Sequence, residues 1–110
     1  MNMPMPVVAT MIPDEFLAWE RTQPERHQYV QGEVYAMAGG SPRHNRLAAK
    51  AIVALTHGLG GSSCGVYSSD QKLALAGEQF VYADAVVLCP PLLLRPGTTD
   101  VVMNPSVIGV

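Results

Sequence analysis

Residues 80–88 read FVYADAVVL, and all of them except Asp84 are apolar or aromatic. Such a run of β-branched and aromatic residues predicts one strand over residues 80–89. Side chains two residues apart share a face of a strand, so Asp84 would point the same way as Tyr82 and Val86. An unpaired carboxylate on an apolar face is costly to bury. Asp84 therefore belongs either to a structural ion pair or exposed strand end, or to a metal-binding or catalytic site.

Further strands are predicted on both sides of this segment. Residues 72–76 form a strand that is joined to it by a hairpin turn at Gly77 and Glu78. Residues 66–68 and residues 106–110 also read as strands, because they are rich in β-branched residues and are bounded by turn residues. The second half of the chain is therefore predicted to form mainly β-structure.

The first half predicts two helices and a hairpin. Pro13 occupies a first helical position, and the helix ends before Pro24 because the residue that precedes proline avoids helical geometry. Residues 31–32 (Gln-Gly) lie between aromatic and β-branched residues, which predicts a β-hairpin. Ser41 as the N-cap and Pro42 as the first helical residue begin a second helix.

The second helix is amphipathic and extends to about His57. At 100° per residue, its apolar side chains fall within an arc of about 140°, and His44 lies inside that arc. The residues of the arc are Leu47, Ala48, Ala51, Ile52 and Leu55. Arg43, Arg46 and Lys50 cluster within about 60° beside it. They form either a phosphate-binding stripe or a solvated basic face.

The order of helix, hairpin, helix and several strands predicts an α+β (mixed α/β) fold around a largely antiparallel sheet. Residues 1–10 are rich in methionine and proline, which predicts a flexible N-terminal arm. Residues 11–110 are then expected to form a single, partial domain.

Composition excludes several classes of protein. With 48% hydrophobic and 15% charged residues, the chain is not wholly disordered, and a net charge of −2 gives no global attraction to nucleic acid. No signal peptide and no membrane span is recognisable, so a cytoplasmic location without membrane contact is expected. Cys64 and Cys89 lack zinc-binding spacing and are expected to be reduced, buried thiols.

Two more residues are candidates for a site. Glu33 follows the hairpin turn and is either an exposed turn carboxylate or a second acid. His44 is either a hydrogen-bonded core histidine or a residue that lines the site. The sequence contains no P-loop, GxSxG, HExxH or GxGxxG motif that would point to another chemistry.

Several segments taken together resemble the Uma-two family of bacterial restriction-endonuclease-like proteins, over roughly residues 11–110. These segments are DEFLAWE (residues 14–20), GEVYAMAG (32–39), SPRHN (41–45), SSD (68–70), YADAVV (82–87) and Asn104-Pro105. The resemblance implies a restriction-endonuclease-like, PD-(D/E)xK fold and metal-dependent cleavage of DNA. It implies that Asp84 is the first Mg²⁺-binding acid, with Ala83 where the family usually has proline.

The resemblance also implies parts that this sequence lacks. In the family, a second acid lies on the strand that begins after Asn104-Pro105, and a lysine follows it. Here residues 106–110 read SVIGV. Glu33 and His44 remain as lesser catalytic candidates, and Arg43, Arg46 and Lys50 as nucleic-acid contacts.

Two functional hypotheses follow. One is a Mg²⁺-dependent nuclease domain, N-terminal portion only, with little or no activity of its own and with weak or absent metal binding. The other is a non-catalytic remnant or interaction module, which forms a homodimer through an open strand edge. The resemblance implies a nuclease, whereas the missing second acid and lysine argue against activity.

Overall fold

The computed structural model describes residues 6–37 and 39–109, with side chains up to residue 106. Its elements keep the predicted order of helix, hairpin, helix and several strands, with one further strand before the first helix. They are β1 (Val7–Thr10), α1 (Pro13–Glu20), β2 (His27–Val30), β3 (Glu33–Ala36), α2 (Pro42–Leu59), β4 (Gly65–Ser68), β5 (Lys72–Leu75), β6 (Gln79–Tyr82), β7 (Ala85–Leu88), β8 (Val101–Val102) and β9 (Val107–Gly109). These elements divide between two compact units, Met1–Gly39 with Leu75–Val81 and Gly40–Ala74 with Tyr82–Val110.

In the first unit, antiparallel strands follow the order β1, β3, β2, β6. Gln31 and Gly32 turn the chain between β2 and β3 with φ angles of 47° and 90°. Both angles are positive, as a two-residue hairpin turn of this kind requires. The predicted hairpin is confirmed.

Three aromatic rings form the core of this unit. Phe16 of α1 lies 5.0 Å from Tyr29 and 5.8 Å from Phe80, measured between ring centroids. All three side chains are buried. Phe80 and Tyr29 are also direct partners in the register between β6 and β2, so ring contacts and backbone pairing support each other.

The prediction of a flexible arm over residues 1–10 is wrong for residues 7–10. Val7–Thr10 form strand β1, which pairs with β3 and places Thr10 opposite Glu33. The β-branched residues Val7, Val8 and Thr10 favour this extended pairing despite the prolines that precede them. The first five residues of the predicted arm lie outside the described residues.

In the second unit, β4, β7 and β9 form an antiparallel sheet, and β5 pairs with β8 in parallel. All four side chains of β7 are buried. Helix α2 packs on β4 and β7. Its residues nearest that sheet are half-buried and recur at helical spacing, namely Ala48, Ile52, Leu55 and Leu59. Only part of the predicted apolar arc faces the sheet, because Leu47 and Ala51 are exposed.

The predicted single strand over residues 80–89 is also wrong. The chain bends at Ala83 and Asp84, so the segment forms two strands. β6 pairs with β2, whereas β7 pairs with β4. The two halves hydrogen-bond to different strands, and Asp84 lies at the bend rather than on a strand face.

The prediction of two reduced thiols is wrong as well. Cys64 and Cys89 form a disulfide, with their Cα atoms 4.1 Å apart. The register of β4 and β7 explains this, because Gly65 lies opposite Leu88 and the cysteines are the next residues outward. In the described part of the chain, no helix has the length and apolar character needed to cross a bilayer.

Candidate functional site

Asp84 is held at the bend between β6 and β7 by its two neighbours. Ala83 and Ala85 are buried, and they fix the backbone on both sides of the acid. The Asp84 side chain itself is 27% exposed, so a solute can reach its carboxylate. The bend therefore presents a carboxylate to solvent between two buried residues.

His44 is the polar partner of this acid. Its Nε2 lies 2.8 Å from Oδ2 of Asp84, so a protonated Nε2 donates to that oxygen. Among the side chains that the structure describes, His44 alone contacts the Asp84 carboxylate through a polar atom. Asp84 and His44 are separate candidates in the sequence, and the structure brings them together.

The start of α2 positions His44. Ser41 is the N-cap, and its Oγ accepts a hydrogen bond from the His44 amide at 3.1 Å, as predicted for a Ser-Pro helix start. Gly40 leaves room for the imidazole, since a Cβ there would lie 2.9 Å from Cδ2 of His44 and 2.8 Å from Oδ1 of Asn45. Any larger residue at position 40 would push these side chains aside.

Glu33 belongs to the first unit and has a different environment. Its Oε2 accepts a hydrogen bond from the Tyr35 hydroxyl, and this contact raises the pKa of Tyr35, because the carboxylate favours the protonated phenol. Glu33 also lines a shallow cavity with Thr10, Glu15 and Gln31. Its role as a further acid of the site stays a prediction.

The three basic candidates lie on α2. Arg43, Arg46 and Lys50 are all exposed. By helical geometry they point away from the residues that pack on the sheet, such as Ile52 and Leu55. The structure therefore leaves these side chains accessible to a ligand in solution.

The chemistry of the donors can be matched to a metal ion. Mg²⁺ is commonly held by one or two carboxylates, several waters and substrate phosphates, and Asp84 offers a carboxylate of that kind. Across residues 6–37 and 39–109, no three His, Cys, Asp or Glu side chains converge as a metal site. The chemistry of the Asp84 carboxylate therefore matches one ligand position on Mg²⁺.

A buried cation in the same unit as Asp84, Lys72, was not predicted from the sequence. Lys72 of β5 is buried, with Nζ 3.9 Å from Oδ2 of Asp100 and 6.0 Å from the centroid of the Tyr82 ring. A lysine within a predicted strand signals that a partner is needed. Nothing in the sequence pattern identifies Asp100 as that partner.

Comparison with known proteins gives one family. The sequence model named "Uma2: Putative restriction endonuclease" matches residues 13–107. Two proteins of Synechocystis sp. (strain ATCC 27184 / PCC 6803 / Kazusa) are similar to this chain. Uncharacterized protein slr1290 is 35% identical over 80 residues, which are 72% of this chain and 42% of that protein. Uncharacterized protein sll1609 is 32% identical over 109 residues, which are 96% of this chain and 62% of that protein.

A solved structure shares the fold. It is the crystal structure of a putative nuclease belonging to DUF820 from Anabaena variabilis ATCC 29413, with a TM-score of 0.62 and 12% sequence identity. The match covers 82% of this chain and 50% of that one. The chain thus spans between two fifths and two thirds of the length of these relatives. The prediction of an α+β, restriction-endonuclease-like fold is confirmed.

Proposed function

Because the chain belongs to the Uma2 family of restriction endonucleases, we propose that it carries the first metal-binding acid of a Mg²⁺-dependent DNA nuclease. The observation that supports this proposal most is the position of Asp84. Its carboxylate is accessible at a bend between buried residues and is oriented by one histidine. Such an acid is well placed to bind a hydrated cation together with a phosphate.

Asp84 and the substrate phosphate would hold the ion. When bound there, Mg²⁺ would supply an activated water and would neutralise the charge that develops on the phosphate during hydrolysis. The remaining work falls to residues of the chain. His44 donates to Oδ2 and restricts rotation of the carboxylate, so it is a positioning residue for Asp84. Gly40 leaves space for the imidazole, and Ser41 caps the helix at the His44 amide.

We further propose that these 110 residues alone bind Mg²⁺ weakly and cleave DNA slowly. A single carboxylate leaves most of the coordination shell to water, and Mg²⁺ gives up its waters reluctantly. The His44 imidazole is a poor ligand for this hard cation, which prefers oxygen donors. Full activity would then need a second acid in addition to Asp84.

The experiment is cleavage of supercoiled plasmid by purified protein in 10 mM Mg²⁺ (roughly the total ion concentration needed for a weak site). We expect slow nicking that EDTA abolishes and that Asp84→Asn reduces at least about tenfold, because the amide is a weaker ligand than the carboxylate. Asp70→Asn is the matched control, since Asp70 is an exposed carboxylate in the same unit. It should leave nicking unchanged.

The outcomes separate the hypotheses. Equal cleavage by Asp84→Asn and the unsubstituted chain contradicts the role of Asp84. Fast, Asp84-dependent cleavage supports that role but contradicts the proposal that full activity needs a second acid. The interaction-module hypothesis predicts no metal-dependent cleavage, together with a stable dimer in solution. Its structural motivation is β9, which pairs with β7 and is an outer strand of its sheet within the described residues.

A further inference from the structure

The outer face of α2 is defined by Arg43, Arg46 and Lys50. Among the helices and strands that the structure describes, α2 carries the most Lys and Arg residues. We propose that this outer face is an exosite that binds the phosphate backbone of a DNA duplex away from Asp84. This inference rests on the proposed nuclease function, because it assigns to the substrate a second point of contact. It extends that function by assigning DNA binding to α2 and cleavage to the site at Asp84.

Charge is strongly segregated between α2 and the remaining sequence. The helix holds three of the chain's seven Lys and Arg residues and none of its nine Asp and Glu residues. Outside α2, acids therefore outnumber Lys and Arg by nine to four. No carboxylate within the helix neutralises the three cations through an i, i+4 pair. The helix therefore produces a local positive electrostatic potential, although the chain has a net charge of −2.

The geometry of the three cations suits a phosphate backbone. Their positions fall within about 60° of one another around the helix axis, and they extend over about 10 Å along it. Phosphates of one strand rise by about 3.4 Å for each nucleotide, so the three side chains can reach two or three phosphates. All three side chains are exposed, and Arg and Lys side chains have several rotatable bonds, which allows them to follow the DNA backbone.

The exosite is separate from the acid. His44, which contacts Asp84, is about 100° to 160° away from the three cations around the helix. A helix with its side chains is about 10 Å across, so DNA on the outer face contacts a different side of α2 from the side that carries His44, the partner of Asp84. The cations should therefore affect the affinity for DNA rather than the chemical step.

The residues of α2 favour DNA over two other partners. A membrane-binding helix carries Trp, Phe or Leu along a broad apolar face, whereas the large exposed apolar residues of α2 are Leu47 and Val53. A second copy of α2 would bring its cations against like charges, since the helix offers no carboxylate. A polyanion with regularly spaced charges fits the surface better than either.

The test is binding of a fluorescein-labelled 20-bp duplex (about two helical turns) in EDTA, where cleavage does not interfere. We compare Arg46→Gln/Lys50→Gln with Arg21→Gln/Arg26→Gln, which removes the same charge from exposed residues outside α2. At low salt, we expect the α2 variant to bind about tenfold more weakly or worse. Its slope of log affinity against log [NaCl] should be shallower by about 1.8, for two lost phosphate contacts. The control should stay within about twofold of the unsubstituted chain.

Other outcomes overturn the exosite. These are equal losses in both double variants, or no duplex binding by the unsubstituted chain at low salt. Binding to phosphatidylserine vesicles but not to the duplex, lost in the α2 variant, would assign the surface to a membrane instead. Asp84→Asn should bind the duplex normally. Duplex binding through α2 without any Asp84-dependent cleavage would contradict the nuclease proposal but support the exosite. Asp84-dependent cleavage without duplex binding through α2 would contradict the exosite alone.

Discussion

The two helices of this chain use their residues in opposite ways. α1 has 8 residues and buries three of them, Phe16, Leu17 and Glu20. α2 has 18 residues and is far more amphipathic, yet none of its residues is fully buried. Amphipathic pattern and burial are therefore separate properties, because burial depends on what is packed against the apolar side.

The contrast assigns the helices different roles. α1 is a structural element, since it contributes Phe16 to the aromatic core and Glu20 to a buried contact. Oε2 of Glu20 accepts the His27 amide at 2.7 Å, and its Oε1 lies 2.7 Å from Nδ1 of the same histidine. α2 packs on its sheet through half-buried residues only and presents the rest of its surface to solvent. A helix of this kind can carry binding residues without loss of stability.

The largest effect is expected where α1 enters the core. Phe16→Ala should lower the free energy of unfolding by about 3 to 5 kcal/mol, because it opens a cavity beside Tyr29 and Phe80. Urea unfolding followed by circular dichroism measures the change. A loss below about 1 kcal/mol would mean that α1 is not anchored as the structure shows.

A somewhat smaller effect is expected from the disulfide that joins the chain ahead of β4 to the end of β7. The cysteines are 25 residues apart, so reduction should lower the free energy of unfolding by about 3 to 4 kcal/mol. Urea unfolding with and without a reductant measures it, and Cys64→Ser/Cys89→Ser should not respond to the reductant. Two titratable thiols in the unreduced native protein would show that the bond does not form.

The smallest effect is expected on the outside of α2. Val53 is 67% exposed, so Val53→Ala should change the free energy of unfolding by less than about 0.5 kcal/mol. The same urea unfolding experiment provides the comparison with Phe16→Ala. A loss above about 1 kcal/mol would show that another part of the protein, or a second copy, covers this side chain in solution.

Local signals account for the parts of the fold that the sequence predicted correctly. The Gln31-Gly32 turn and the Ser41-Pro42 helix start are each determined by residues within a few positions, so both were predicted at the right place. Asp84 was identifiable because a carboxylate inside an apolar run needs an explanation. The fold class followed from the order of these elements.

Pairing over long distances could not be predicted in the same way. The bend at Asp84 arises because β6 and β7 pair with different strands, and the strand partners are not encoded within residues 80–88. The Cys64–Cys89 bond likewise follows from the β4–β7 register. The contact of His44 with Asp84 joins residues 40 positions apart, so it required the packing of α2 on β7.

The central claim is that Asp84 binds the metal ion, and paramagnetic broadening by Mn²⁺ tests it most directly, since it detects weak binding without catalysis. In amide NMR spectra, substoichiometric Mn²⁺ should first broaden the signals of Ala83, Ala85 and His44, because these residues surround the Asp84 carboxylate. Asp84→Asn should abolish this pattern, and Asp70→Asn should preserve it. Broadening that is centred elsewhere, or that persists unchanged in Asp84→Asn, would contradict the claim.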